Sequence, residues 1–183
     1  ATQIKKKVLE KEIKLLFLIE ADDFDIEKYD LSQTKVIYVG HHGDKVATKA
    51  NTILPVTAFT EKKALYVNIE GRPQFTKKVI DNKGLAVDAW KIFRALSEKF
   101  SVTLSYNTHE QLLNYIFKKH PVLSKINLIT KSNELFVNED KFKINSCNDN
   151  FKIKNYYQTC PITRASTNMA NCVKIFLLEN NNK

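Results

Sequence analysis

Two adjacent histidines, followed closely by an aspartate, stand out in the stretch VIYVGHHGDK, residues 36–45. His41, His42 and Asp44 are side-chain types that bind metal ions or transfer protons. Glycines flank the histidine pair and would let the backbone approach a phosphate. The histidine pair also follows the apolar run at 36–39, and ligands bind at the carboxyl ends of strands in open α/β sheets. One interpretation is therefore a metal, catalytic or phosphate site.

A structural loop is the interpretation that the spacing favours. Adjacent histidines on an extended backbone point to opposite sides, so the two imidazoles do not readily bind one ion. Zinc needs at least three protein ligands, and no other His or Cys cluster lies nearby in the sequence. We therefore predict no catalytic, cofactor or metal site in this chain, and expect the loop's polar groups to bond backbone or an interface.

Other chemically capable residues allow the same two interpretations. Glu61 and Glu70 could form a catalytic carboxylate pair, but the sequence offers no nucleophile beside them. We favour salt bridges with Lys62, Arg72 or Lys78. In EGRPQF, Gly71 suits a turn and Arg72 could bridge strand ends or a neighbouring chain.

Arg164 follows an aromatic pair, Tyr156 and Tyr157, a combination typical of an interface anchor. The alternative is helix capping by Thr163 or Ser166 with Arg164 in solvent.

Composition limits the classes of function. The 183 residues carry a formal net charge of +9, but only three of the 29 basic residues are arginine. Arginine is the side chain suited to bidentate contacts with phosphate and guanine, so we expect no nucleic-acid partner. Three cysteines, 13 and 12 residues apart, match neither a disulfide framework nor a CxxC metal motif. The longest apolar run, Leu15 to Ile19, is too short to cross a membrane, so we expect membrane association only through a partner.

The apolar pattern predicts an α/β fold. Three short apolar runs, at 13–19, 35–39 and 52–56, read as strands of a parallel sheet. A helix is predicted over 87–100 with Asp88 as N-cap, and a second from Thr108 to Pro121 with a capping box. We assign residues 1–130 to the α/β domain. Residues 131–183 are expected to form an irregular extension with a terminal helix from about Ser166, and to lie at an interface.

The predicted sheet is incomplete. Strands buried on both faces need helices on both sides and neighbours at their edges, and no helical crossover of a dozen residues separates the second run from the third. We therefore predict a partial parallel sheet flanked by helices, which another polypeptide completes.

Two stretches resemble a known family. Residues 38–100 carry GHHGD, ILP, TEK, YVNIEGR and GLAVDAWKIFRALSE in this order, and 156–174 read YYQTCPITRASTNMANCVK. Both are similar to the C-terminal part of the large iron-sulfur subunit of respiratory complex I, NADH:ubiquinone oxidoreductase. The residues that we take as family signature and expected interface are Gly40, His41, His42, Gly43, Asp44, Thr60, Glu61, Glu70, Gly71, Arg72, Tyr156, Tyr157 and Arg164.

The resemblance implies a fold similar to molybdopterin oxidoreductases and a place on the matrix side of the mitochondrial inner membrane. It implies iron-sulfur clusters and FMN in partner chains. The expected partners are the cluster-bearing remainder of the same split subunit and other matrix-arm subunits. Cys147, Cys160 and Cys172 do not match the family's cluster ligands. Val56 stands where the family usually has glycine, and Asn51 where it usually has aspartate, which favours a scaffold over a reaction centre.

Two hypotheses follow. The first is a non-catalytic structural subunit of the NADH-oxidising arm of mitochondrial complex I. The alternative is a free-standing cofactor- or metal-binding oxidoreductase domain that uses His41, His42 and Asp44.

Overall fold

A three-stranded parallel sheet organises the first third of the chain. In the computed structural model, which describes residues 2–21, 24–130 and 155–178, strands β1 (Leu15–Ile19), β2 (Lys35–Gly40) and β3 (Thr52–Pro55) lie in the order β1-β2-β3. All neighbouring pairs are parallel. These strands are the three apolar runs predicted from the sequence, so the α/β class with a parallel sheet is confirmed.

Helices and a hairpin surround this sheet. The helices are α1 (Thr2–Leu9), α2 (Asp44–Lys49), α3 (Ala89–Ser97), α4 (His109–Lys119), α5 (Pro161–Arg164) and α6 (Thr167–Cys172), with a π-helical continuation over Val173–Leu178. Short 3-10 helices lie at Ile26–Lys28 and Pro121–Ser124. Strands β4 (Leu65–Val67) and β5 (Pro73–Phe75) form an antiparallel hairpin. The excursion predicted at 131–155 falls, except for residue 155, outside the described residues.

The connection from β2 to β3 contains a short helix where the sequence predicted only a loop. α2 is only six residues long and buries Val46 completely. Fewer than two turns show no helical periodicity, so the pattern of apolar residues does not reveal it. This short helix supplies the crossover that the sequence lacked.

The main core cluster lies on one face of the sheet. Side chains from α1, β1, β2 and α2 meet there, together with the first 3-10 helix; its buried members are Val8, Leu16, Leu18, Ile26, Val36, Tyr38 and Val46. On the opposite face α3 places Phe93 against Phe17, with ring centroids 6.5 Å apart. The central strand β2 is buried on both faces, with Tyr38 1% and Val39 0% exposed, whereas the outer strands β1 and β3 leave Ile19 48% and Ile53 52% exposed.

Asn51 connects the central strand to β3. Its side-chain oxygen accepts a hydrogen bond from the Val36 N–H at 2.8 Å, and its own N–H donates to the Val36 carbonyl at 2.9 Å. The residue therefore extends the β2–β3 ladder by one side-chain bond. An aspartate would offer the same acceptor, so the replacement that the resemblance pointed out keeps this contact.

Asn51→Ala is expected to lower the free energy of unfolding by about 1–2 kcal/mol, because the Val36 N–H of a fully buried residue loses its acceptor. Asn51→Asp keeps the acceptor and serves as the matched control, with stability near that of the unchanged chain. Urea denaturation of the three proteins measures the difference. Equal destabilisation by alanine and aspartate would contradict this role.

The two predicted helices are present. α3 begins after Asp88, whose carboxylate accepts a hydrogen bond from the buried Thr57 hydroxyl at 3.0 Å instead of capping the helix. α4 begins after Thr108 with the predicted capping box.

Val56 and Val87 form a parallel bridge beyond β3, and Val56 is not among the positive-φ residues of the described chain. A side chain therefore fits where the family usually has glycine.

Candidate functional site

The glycine-histidine loop lies at the carboxyl end of β2, as the sequence predicted. Gly40 ends the strand directly against the ring of the buried Tyr38, so there is no room for a side chain at this position. Gly43 has φ +78° and Asp44 φ +63°, both in the left-handed region. The backbone thus turns sharply from the strand into α2 and is not extended.

The two histidines face each other. His41 Nδ1 lies 2.6 Å from His42 Nδ1, and the rings meet edge to face with centroids 4.8 Å apart. The prediction that they point to opposite sides is wrong, because it assumed an extended backbone. A hydrogen bond between two Nδ1 atoms needs a proton on one ring and a lone pair on the other.

Asp44 forms an ion pair that joins two distant parts of the chain. Its Oδ2 accepts a hydrogen bond from Nε of Arg164, 120 residues later. The side chains are 18% and 24% exposed, so solvent screens this pair only partly. Arg164 is therefore not a solvated side chain, and that part of the alternative is wrong. Ser166 does cap α6 by accepting from the Met169 N–H at 3.4 Å.

A cavity of about 430 Å³ opens beside the histidine pair. Its walls come from the carboxyl ends of β2 and β3, from the segment after β3, and from Ile162 in α5. Lys83 and Glu61 contribute charged groups among mostly apolar neighbours. Neither Ile162 nor Lys83 was singled out in the sequence, since nothing in their local pattern indicates a wall assembled from segments so far apart.

Glu61 has a structural partner. Its Oε2 accepts a hydrogen bond from the Ala58 N–H at 3.0 Å while the residue is 9% exposed. The salt bridge predicted for Glu61 is absent among the described residues, because Lys62 instead pairs with Glu20 at 3.1 Å. Thr60 lies beside it, and its carbonyl accepts from the Val79 N–H at 2.8 Å. The Glu61 carboxylate therefore stabilises the turn over residues 58–61.

Glu70 and Arg72 form the ion pair that the sequence favoured, with Oε2 and Nη2 3.4 Å apart. Gly71 has φ +81° and makes the hairpin turn. Arg72 Nη1 also donates to the carbonyl of Asn127 at 2.8 Å, so it connects the hairpin to the segment after α4. The two glutamates engage different partners, Ala58 for Glu61 and Arg72 for Glu70.

The aromatic pair diverges. Tyr157 stacks on Phe176 with centroids 6.0 Å apart, whereas Tyr156 is 63% exposed. Nearby, Cys160 precedes α5, and hydrogen bonding to Thr163 lowers the pKa of its thiol. A contact of Tyr156 with another chain stays a prediction.

The described residues contain no group of three or more His, Cys, Asp or Glu side chains placed to hold a metal ion. Cys160 and Cys172 are free thiols, and the whole sequence has three cysteines, which is fewer than the four thiolates of a common iron-sulfur cluster. The residues present therefore do not fit such a cluster. No helix in the described ranges is long and apolar enough to span a membrane.

Comparison with known proteins decides the family. Residues 1–99, more than half of the chain, match molybdopterin oxidoreductase. The chain belongs to the molybdopterin oxidoreductase family. Residues 130–172 match the C-terminal region of the G subunit of NADH-ubiquinone oxidoreductase. This match covers the tail, so the two stretches of resemblance noted in the sequence fall largely within the two matched regions.

Relatives place the chain more closely within the family. It is 40% identical to the NADH-ubiquinone oxidoreductase 75 kDa subunit of Reclinomonas americana, over 89% of this chain and 24% of the relative. It is 38% identical to the mitochondrial NADH dehydrogenase [ubiquinone] iron-sulfur protein 1 of Solanum tuberosum, over 87% and 22%. The G subunit of NADH-quinone oxidoreductase from Rickettsia bellii is 32% identical over 89% and 24%. The chain thus spans about a quarter of the length of these relatives.

Proposed function

We propose that this chain is a non-catalytic structural part of the NADH-oxidising arm of mitochondrial complex I. It supports electron transfer from NADH to ubiquinone by iron-sulfur clusters held in partner chains, which also hold the FMN. Its relatives are named as subunits of NADH-ubiquinone and NADH-quinone oxidoreductases, and these names support the proposal that it belongs to complex I. We place it on the matrix side of the inner membrane, attached through the complex.

The observation that carries a scaffold role is the open edge of β1. β2 lies on one side of β1, and no strand within the described ranges pairs with the other side. Lys14 O and Glu20 N bond to β2, so the parallel ladder uses alternate residues. The backbone groups of Leu15, Phe17 and Ile19 therefore point outward. An uncovered row of donors and acceptors is a template for a further strand.

The partner we propose for this edge is the cluster-bearing remainder of the same subunit, supplied as a separate polypeptide. A strand from that partner would extend the sheet and cover Leu15 and Ile19, each of which is 48% exposed. A rigid domain fixed in this way holds neighbouring clusters at constant distances and excludes water from them. The contribution to electron transfer is then positional.

Leu15→Lys combined with Ile19→Lys is expected to weaken association with the cluster-bearing polypeptide roughly tenfold or more, because charges on an edge oppose strand pairing. The control is Leu9→Lys, which changes an exposed leucine on α1. Native electrophoresis of tagged variants, stained for NADH dehydrogenase activity, measures incorporation. Unchanged incorporation of the edge variant would contradict the proposed partner surface, and absence of the unchanged chain from the active band would contradict the function itself.

The cavity beside His41 and His42 favours one other candidate, a cofactor-binding domain. Against it, Asp44 is already held by Arg164, and Glu61 by the Ala58 N–H. If that alternative holds, the purified chain carries a bound cofactor that His42→Ala removes. A chain purified without any bound cofactor supports the scaffold.

A further inference from the structure

An apolar groove runs between α3 and the β3 side of the sheet. Its volume is about 450 Å³, and it lies on the sheet face opposite the buried core, since Leu54 pairs with Val39 on the face that also carries Phe17. The apolar lining consists of Leu54, Val87, Ile92, Ala95 and Leu96. A contiguous apolar surface of this kind marks an interaction site more often than scattered exposed residues do.

Two lysines lie at the two ends of the lining that α3 and its last turn contribute. Lys91 and Lys99 both line it, eight residues apart, which corresponds to about 12 Å along a helix. The helical turn continues through Lys99, because its N–H donates to the Leu96 carbonyl at 2.9 Å. Lys91 has Asp88 at 3.5 Å, whereas no carboxylate in the described ranges lies within 4 Å of Lys99. The groove is therefore apolar in the middle and cationic at both ends.

We propose that this groove receives an amphipathic α-helix from a neighbouring polypeptide of the assembly, an inference that rests on the proposed function. The helix presents apolar side chains to the groove and two carboxylates, seven or eight residues apart, to Lys91 and Lys99. Ala95, exposed at the centre of the α3 stripe, lets another helix approach closely. This is the helix-in-groove mode of recognition.

Two observations favour a helix over other occupants. A strand needs an open backbone edge, but here the chain beyond β3 is already bonded to Val87, with Thr57 N donating to the Val87 carbonyl at 3.2 Å. A fatty acid offers a single carboxylate, which satisfies one lysine and leaves the other, about 12 Å away, without a partner. Charge at both ends of an apolar stripe matches a helix two turns long.

Carbodiimide cross-linking of the purified assembly tests the proposal, because it joins lysines only to carboxylates in direct contact. Mass spectrometry is expected to find Lys91 and Lys99 joined to two carboxylates seven or eight residues apart in one other polypeptide. The Lys78–Asp81 pair, 3.0 Å apart, is the internal positive control. Cross-links of the two lysines only within this chain, or to a second copy of it, would overturn the inference, as would a lipid found in the groove.

Ala95→Arg provides a second measurement. It places a long charged side chain in the centre of the groove and is expected to reduce incorporation into the assembly at least tenfold. Asn114→Arg, on the exposed surface of α4, is the matched control and leaves incorporation unchanged. If the unchanged chain is absent from the active assembly, the proposed function fails. If it is present and Ala95→Arg incorporates normally, only the docking of a helix fails.

Discussion

Arg164→Ala is expected to lower the free energy of unfolding by about 2–3 kcal/mol, because it leaves the carboxylate of Asp44 without its charged partner in a partly buried site. For a chain of this length that corresponds to a fall in Tm of roughly 4–12 °C. The side chains of the pair are 24% and 18% exposed. Asp44 also begins α2 in a left-handed conformation, so the ion pair holds a strained turn as well as the tail.

A double-mutant cycle separates the pair from its surroundings. Asp44→Ala and Arg164→Ala are each expected to destabilise, and the double variant to lose about 1–2 kcal/mol less than the sum of the two. Thermal unfolding by circular dichroism provides the values. Lys45→Ala is the matched control: its pair with Glu27 spans 3.7 Å between largely exposed side chains, and its loss should cost below about 0.5 kcal/mol. Strict additivity would show that the contact contributes no coupling.

The elements that the sequence predicted best are those with a strong local signal. β1, β2 and β3 are almost continuously apolar, and α3 and α4 combine helical spacing with a residue type typical of N-caps, Asp88 or Thr108, directly before the helix. The ends of the three strands differ from the predicted ends by at most two residues. The helix α2 and the hairpin β4–β5 escaped notice because six and three residues are too few to show a period.

The candidate site was harder to predict, and for a different reason. Its defining contacts join residues with no local relation, as in the Asp44–Arg164 pair, 120 residues apart. The position of the loop at a strand end followed from the sequence, but the orientation of His41 and His42 goes with a bend of the backbone at these two residues, which the local sequence does not show. The sequence shows a charged residue at position 44 and another at position 164, but it does not show that the two form a pair.

The Asp44–Arg164 pair also connects the two matched regions of the chain. Asp44 lies in the molybdopterin oxidoreductase match and Arg164 in the second match, which covers residues 130–172. Ile162, two residues before this arginine, forms part of the wall of the cavity at the strand ends. The tail thus borders the place where open α/β sheets bind ligands.

Gly40→Ala is expected to have the largest effect, a loss of about 3 kcal/mol or more, since inserting a methyl group into a filled core forces neighbours to move. A Cβ on Gly40 would lie 2.8 Å from Tyr38 Cε1 and closer still to Cζ and the hydroxyl oxygen. The tyrosine is 1% exposed and belongs to the core cluster, so its ring has no free space to enter. Urea denaturation with a fluorescence readout is the measurement.

Two further variants separate steric overlap from backbone strain. Gly71→Ala has no neighbour within 4 Å but must hold φ at +81°, and is expected to cost only about 1–2 kcal/mol. Tyr38→Phe combined with Gly40→Ala should not restore stability, because the clash with the ring carbons remains. Tyr38→Leu combined with Gly40→Ala removes those carbons and is expected to be more stable than the Phe combination. If both combinations are equally unstable, the ring is not what excludes a side chain at Gly40.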